Sequence, residues 1–380
     1  MFSSNKLTDQ FIITQNKLGN GAFGSVYVAK IDDKEIAVKC ESKENNNYLT
    51  LLKEFKICKK IYTIKQKLKY EKQLEIENNP QIDKLLHNLN SNTTIKIYNH
   101  ISSNNLLSIP EEFNINYLIT HECVPNTYSY IECDDFNFLT MDLCGNNFEY
   151  LIENYKFTEN CKFFITYKLL YTLSCIHRCG IIHRDIKLSN LVLNKKINDN
   201  FSDIYPSIID LGLSKEYYKL EGKKILYINP VNTKNITGTL RYISLNIHEF
   251  KSPSIIDDLI SLCYTLVVIF TEKKLPWVGH KKDTHKFDQT KHTHKNCQCN
   301  YHINKKNNTT IKNNTIAEIK FHTPLEDLVD DHCTFLIKWI KYLYSLNTKQ
   351  LPSYNFLLKT LKNEYSDIDF LNLKFEIQKN

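Results

Sequence analysis

The chain has 380 residues, 42% of them hydrophobic and 24% charged, with a formal net charge of +7. Length permits one large or two small domains, and a mild positive charge spread along the chain gives no argument for nucleic-acid binding. Twelve cysteines behind an N-terminus without an apolar leader predict reduced thiols in an intracellular protein, and the longest apolar run, Leu259 to Phe270, is too short to span a bilayer.

Taken in chain order, residues 1–9 read as a tail. Leu18-Gly19-Asn20-Gly21-Ala22-Phe23-Gly24-Ser25-Val26 then has the form GxGxxGxV. Alone this pattern is weak, because dinucleotide-binding loops share it, but those open directly into a helix. Here the glycines precede the β-rich run Val26 to Ala29, the polar Asp32-Asp33-Lys34, and a second β-rich run ending at Lys39. The spacing predicts a strand, a glycine turn and two further strands: a hairpin whose bare backbone amides lie over phosphates. A dinucleotide enzyme would instead show a helix after Gly24. Lys39 ends its strand where an ammonium reaches the α- and β-phosphates of a nucleotide. A buried lysine needs a carboxylate, and Glu54, 54 − 39 = 15 residues on, lies in a stretch of helical apolar spacing from Leu51 to Ile61. Glu41 and Glu44 are its rivals, both in a polar turn. Lys65 to Glu75 continues as helix, and Asn88 to Asn105 reads as a loop.

Ile182-His183-Arg184-Asp185-Ile186-Lys187-Leu188-Ser189-Asn190 places an acid, a base and an amide in one short loop. Asp185 can orient an attacking hydroxyl and take its proton, Lys187 can hold a migrating phosphoryl group, and Asn190 can bind a magnesium ion. Asp210-Leu211-Gly212 follows 210 − 185 = 25 residues after Asp185, behind hydrophobic Ile208-Ile209, and supplies a second metal ligand at the end of a short buried strand. The expected chemistry is transfer of phosphate from ATP to a hydroxyl, with Mg2+.

Further along come Thr237-Gly238-Thr239-Leu240-Arg241-Tyr242-Ile243-Ser244-Leu245-Asn246-Ile247-His248, Asp257-Asp258-Leu259-Ile260-Ser261-Leu262, Leu275-Pro276-Trp277-Val278-Gly279 and Thr323-Pro324-Leu325-Glu326. Residues 280–312 are polar, rich in Lys, Asn, Thr and His, and too poor in apolar surface to order themselves. His292, Cys297, Cys299 and His302 within them could supply four zinc ligands, yet Cys-x-Cys lacks the usual two-residue spacing and a solvated loop is the favoured reading.

These runs, with Met141-Asp142-Leu143-Cys144-Gly145, resemble the eukaryotic protein kinases, and within them the casein kinase 1 group; the vaccinia-related kinases are the runner-up subfamily. The resemblance implies an α+β bilobal kinase fold: a small β-rich N-lobe over 10–143 with an insertion at about 63–112, a helical C-lobe over 144–366 with an insertion at about 280–312, and a tail over 367–380. It implies that Leu18, Gly19, Gly21, Gly24, Val26, Ala37, Val192 and Ile209 bound the nucleotide. Met141 would be gatekeeper, the backbone from Asp142 to Cys144 would bond the adenine edge, and Asp258 would brace the catalytic loop. Arg241, Gly279, Lys281 and Lys282 would form an anion site for acidic or phosphate-primed Ser/Thr substrates. A monomer without nucleic-acid or membrane partners is expected. Three departures stand out: Leu211 where relatives carry Phe, Ile255-Ile256 where they carry paired arginines, and no arginine in Asn229-Pro230-Val231-Asn232. A kinase-fold scaffold without catalysis would lack one of Lys39, Glu54, Asp185, Lys187, Asn190 or Asp210, and none is missing.

Overall fold

The computed structural model describes residues 11–21, 24–44, 49–77, 79–90, 92–110, 113, 124–197, 203–228, 233, 235–278, 315–347, 350–365 and 373–380. The predicted N-terminal tail, the anion-site positions Gly279, Lys281 and Lys282, and the cluster His292, Cys297, Cys299 and His302 lie outside them.

Strands β1 (Ile12–Gly21), β2 (Gly24–Ile31), β3 (Lys34–Ser42), β4 (Thr127–Glu132) and β5 (Phe136–Asp142) form one antiparallel sheet in the order β1-β2-β3-β5-β4. Strand alternation sorts the residues of β3 by face. Ile36, Val38 and Cys40 pack with Phe11, Ala29 and Phe138 on one side, whereas Ala37 packs with Leu51, Leu139 and Met141 on the other. That same period turns Lys39 toward the second face, where helix α1 (Thr50–Glu77) lies.

Helix α1 buries Leu51, Glu54, Ile57, Cys58, Ile61, Ile64 and Leu68, a stripe at helical spacing, and it runs unbroken through the extension expected over Lys65 to Glu75. Helices α2 (Pro80–Asn90) and α3 (Thr93–Ser103) follow. The loop expected over Asn88 to Asn105 is therefore corrected: most of it is helix. Thr93, Thr94, Ile95 and Ile97 are β-branched and poor helix formers, which hid α3 from a propensity reading. Two things override propensity. The Asn92 side chain accepts from the Thr94 amide at 2.8 Å and caps the first turn. Ile95, Ile97, Tyr98 and Ile101 are buried in the main core, and the Tyr98 hydroxyl accepts from Arg178 Nη2 at 2.9 Å.

The remainder is helical with short hairpins: α4 (Phe148–Asn154), β6 (Tyr155–Phe157), α5 (Glu159–Arg178), β7 (Ile181–Ile182), β8 (Leu191–Leu193), β9 (Pro206–Ile208), β10 (Lys215–Glu216), β11 (Tyr218–Glu221), β12 (Lys224–Tyr227), α6 (Leu245–His248), α7 (Ile255–Thr271), α8 (Thr315–His322), α9 (Phe335–Ser345), α10 (Tyr354–Glu364) and β13 (Ile377–Lys379). Helix α7 is buried along nearly its whole length. The run Leu259 to Phe270 is thus a core helix, and among the described residues no helix is long and apolar enough to cross a membrane. Ser254 and Asp257 cap α7 reciprocally, and Asp257 also accepts from Ser244 Oγ at 2.5 Å. Strand β13 pairs with β6 and carries Phe375 into the core beside it.

Candidate active site

A cleft of about 830 Å³ opens between the five-stranded sheet and the helical part. Its walls include Leu18, Gly19, Gly24, Val26, Ala37, Lys39, Met141, Asp142, Cys144, Val192 and Ile209. Gly21 sits at the tip of the β1–β2 turn, paired with Gly24. The chain leaves Gly24 as strand β2, so the helix that a dinucleotide-binding loop requires is not there. A Cβ on Gly24 would stand 1.9 Å from the Cys40 carbonyl oxygen, so only glycine lets β2 pass β3 this closely.

Behind these walls Lys39 Nζ donates to both carboxylate oxygens of Glu54, at 2.7 and 2.9 Å, and to Asp210 Oδ1 at 3.2 Å. The rival carboxylate Glu41 instead accepts from the Thr50 amide at 3.1 Å, at the start of α1. Burial alone would lower the Lys39 pKa, but the charges of Glu54 and then Asp210 more than offset it, and the ammonium is held well above its ordinary value. Burial works to raise both carboxyls; at Asp210 the Lys39 charge overcomes it and the net displacement is downward. Glu54 also accepts from the Leu211 amide at 3.3 Å, which ties α1 to the segment carrying Asp210.

The loop after β7 is fixed from below by Asp258, on α7. Its carboxylate accepts from the amides of His183 at 2.6 Å and Arg184 at 2.8 Å and from His177 Nε2 at 3.0 Å. With Nε2–H so engaged, His177 Nδ1 accepts the Tyr354 hydroxyl at 2.6 Å. Burial holds the His177 pKa below its ordinary value. Arg184 takes the left-handed conformation, φ 76°, and turns the chain so that Asp185 enters the cleft.

Asp185 Oδ2 accepts from Lys187 Nζ at 2.7 Å and Asn190 Nδ2 at 3.2 Å. Its Oδ1 accepts from the Thr239 amide at 3.0 Å and hydroxyl at 2.7 Å. Thr239 is a residue whose contact with Asp185 sequence reasoning missed, although its motif was singled out; Lys187 Nζ also lies 3.3 Å from its hydroxyl. Gly238 places it there. At φ 96°, a Cβ on Gly238 would meet the Arg184 carbonyl oxygen at 2.6 Å and Ile243 Cγ2 at 2.9 Å.

Asn190 spends its amide N–H groups on Asp185, the carbonyl at 2.9 Å and the carboxylate, so its amide oxygen is the atom offered to a cation. Asp210 stands one residue past Ile209, whose amide donates to the Asn190 carbonyl at 3.0 Å and whose carbonyl lies 3.0 Å from His183 Nε2. The Asn190 amide and the Asp210 carboxylate both line the cleft, and as hard oxygen donors they fit a small divalent ion. Among the described residues there is no group of three or more His, Cys, Asp or Glu side chains placed to hold a metal.

The Asp142 carboxylate accepts from the Asn126 amide at 3.1 Å, from Asn126 Nδ2 at 2.9 Å, from Lys34 at 3.3 Å and from Tyr128. Burial would raise its carboxyl, but these bonds carry it below the usual carboxylate range. Arg241 is exposed on the segment beyond Thr239, its guanidinium 5.9 Å from the Tyr242 ring centre. A second basic group was not foreseen. Burial, then the nearby charges of Arg184 and Lys215, lower the Lys53 pKa, and burial lowers that of Arg184. Arg184 Nη2 donates to Thr237 Oγ1 at 2.8 Å, while its buried Nε has no partner among the described residues. The signal lay in plain view, one residue before Glu54 and one before Asp185.

A family model described as protein kinase domain matches residues 82–352. The match takes in Asp185, Lys187, Asn190 and Asp210; the glycine hairpin, Lys39 and Glu54 precede it and enter the site through the geometry above.

Proposed function

The chain belongs to the protein kinase family, matched over more than half its length, and from that premise we propose a serine/threonine kinase of the casein kinase 1 group acting on acidic or phosphate-bearing segments of proteins. As a protein kinase it has a bilobal fold, uses ATP and a divalent cation, and takes protein substrates; the proposal makes that cation Mg2+.

The observation that carries the reading is the set of contacts on Asp185: Lys187 on one oxygen and Thr239 on the other, on the floor of the cleft that also holds the Lys39–Glu54–Asp210 group. Asp185 orients the substrate hydroxyl and accepts its proton as the bond to phosphorus forms. Lys187, beside it, neutralises charge on the group in transit. Lys39, held in place by Glu54, grips the nucleotide's phosphates. Asn190 and Asp210 would hold the divalent ion, which when bound neutralises phosphate oxygens. Most of the rate then comes from positioning and fixed charge rather than from covalent steps.

The preference for acidic or primed segments draws on the positive charge next to the loop. Arg241 is exposed at the edge, and Arg184, Lys53 and Lys215 lie close enough for their charges to interact. Bidentate arginine suits phosphate. The departure of Leu211 from Phe leaves Asp210 and Gly212 in the loop, so it does not weaken the reading. The test is transfer of γ-labelled phosphate to casein and to primed peptides, followed by phosphoamino-acid identification. Label on serine and threonine supports the proposal; label on tyrosine, or none, overturns it.

A further inference from the structure

Lys320, on α8, is a lysine almost wholly removed from water, and nothing in the phosphate-transfer chemistry above uses it. Its Nζ donates to the carbonyl of Leu240 at 2.8 Å and to that of Ile243 at 2.7 Å, and lies 3.4 Å from His248 Nε2. The Tyr264 and Trp277 rings each lie 5.2 Å from it. None of these partners is a carboxylate. A buried ammonium without a counter-ion is costly, and two carbonyl dipoles with two aromatic faces are a partial substitute. Burial accordingly drives its pKa far down, and His248 is kept neutral by its own burial and by the neighbouring lysine.

The carbonyls that Lys320 holds belong to the segment that supplies Thr239. Between them, Trp277 Nε1 donates to the Arg241 carbonyl at 2.7 Å. The amides of Tyr242 and Ile243 close a turn onto the Thr239 carbonyl at 2.8 and 3.1 Å. Three carbonyls within four residues are thus pinned from below, and the turn they make presents the Thr239 amide and hydroxyl to Asp185.

We infer that Lys320 is a positioning residue for phosphoryl transfer: by clamping the Leu240 and Ile243 carbonyls it sets Thr239 against Asp185 and holds the substrate-facing segment in its working shape. The inference rests on the kinase reading and names a device that reading does not require.

The test is Lys320→Met, which keeps the length of the side chain and removes the donors. Rates are expressed per folded molecule, judged by cooperative thermal unfolding. The expected result is a fall in kcat of at least about tenfold, because a misplacement of about an ångström at a reacting group is this costly, with the affinity for ATP unchanged. Combined with Thr239→Ala, the loss should be smaller than the product of the two single losses, since both act through one contact. A merely structural lysine would leave kcat per folded molecule unchanged, or would multiply independently with Thr239→Ala, and either result overturns the inference. If Lys320→Met does not fold, Trp277→Phe, which keeps the ring and loses the bond to Arg241, goes through the same cycle with the same two outcomes. Failure of the kinase reading is distinguishable, because then the unsubstituted chain itself transfers no phosphate.

Discussion

Replacing Asp258 by Asn tests how far the catalytic loop depends on one buried carboxylate. Asp258 accepts three N–H groups, from His183, Arg184 and His177, at 2.6 to 3.0 Å, and is 2% exposed. An asparagine offers one oxygen and turns an NH2 group toward donors. At least one N–H is then buried unpaired, and the bonds that survive lose their charge assistance. A hydrogen bond to a charged group is worth roughly 1.5–3 kcal/mol and an orphaned donor costs about 1–3 kcal/mol, so a net loss of about 3 kcal/mol follows. The Arg184 amide, held in a left-handed turn at φ 76° by its bond to Asp258, is the donor most exposed to this loss. In a chain of this size each kcal/mol moves the melting temperature by about 2 °C, so Asp258→Asn should melt roughly 6 °C lower. Its kcat per folded molecule should fall by about a hundredfold as Asp185 loses its setting. Thermal unfolding and steady-state transfer to casein measure both. Unchanged melting together with an unchanged rate would refute the idea that α7 sets the loop.

Three further predictions follow from individual groups. His248 is depressed to about 3, first by burial and then by the Lys320 charge, against an unfolded value near 6.5. The unfolded chain therefore binds the extra proton: the contribution is fully present above pH about 6.5, is lost as pH falls toward 3, and amounts to roughly 2 kcal/mol between pH 6.5 and 4.5. Urea unfolding of His248→Gln should show a shallower acid-side loss than the unsubstituted chain, and equal losses would contradict the assignment. Gly238→Ala should cost about 1–3 kcal/mol in strain and most of the activity, because its Cβ would collide with the Arg184 carbonyl; full activity in that variant would show that the Thr239 contact is dispensable. Arg241→Ala, with ATP saturating, should weaken phosphorylation of primed or acidic peptides far more than of neutral ones, and equal loss on both would remove Arg241 from the anion site.

Much of the site was legible in the sequence because its chemistry sits in short runs. Asp185, Lys187 and Asn190 share one loop, and Lys39 ends the β-rich run that follows the glycine hairpin. Glu54 could be ranked above Glu41 and Glu44 because helical spacing put it on the inner stripe of α1. What stayed hidden depends on contacts distant in sequence. Thr239 meets Asp185 across 54 residues and Lys320 meets Leu240 across 80, and no local pattern encodes either. Helix α3 was missed for a different reason: its β-branched residues disfavour helix in isolation, and the burial of Ile95, Ile97 and Ile101 that reverses the preference belongs to the assembled core. The Asp142 carboxylate was read only for its backbone, since nothing nearby in sequence announces Asn126 and Tyr128 as its donors.

The central claim is that Asp185 receives the proton of a substrate hydroxyl in a cleft already built to hold ATP. Asp185→Asn, assayed in parallel for ATP binding by calorimetry and for transfer of labelled γ-phosphate to casein, measures this directly. Transfer should drop by at least about a hundredfold while ATP still binds as before. Transfer at the unsubstituted rate would contradict it.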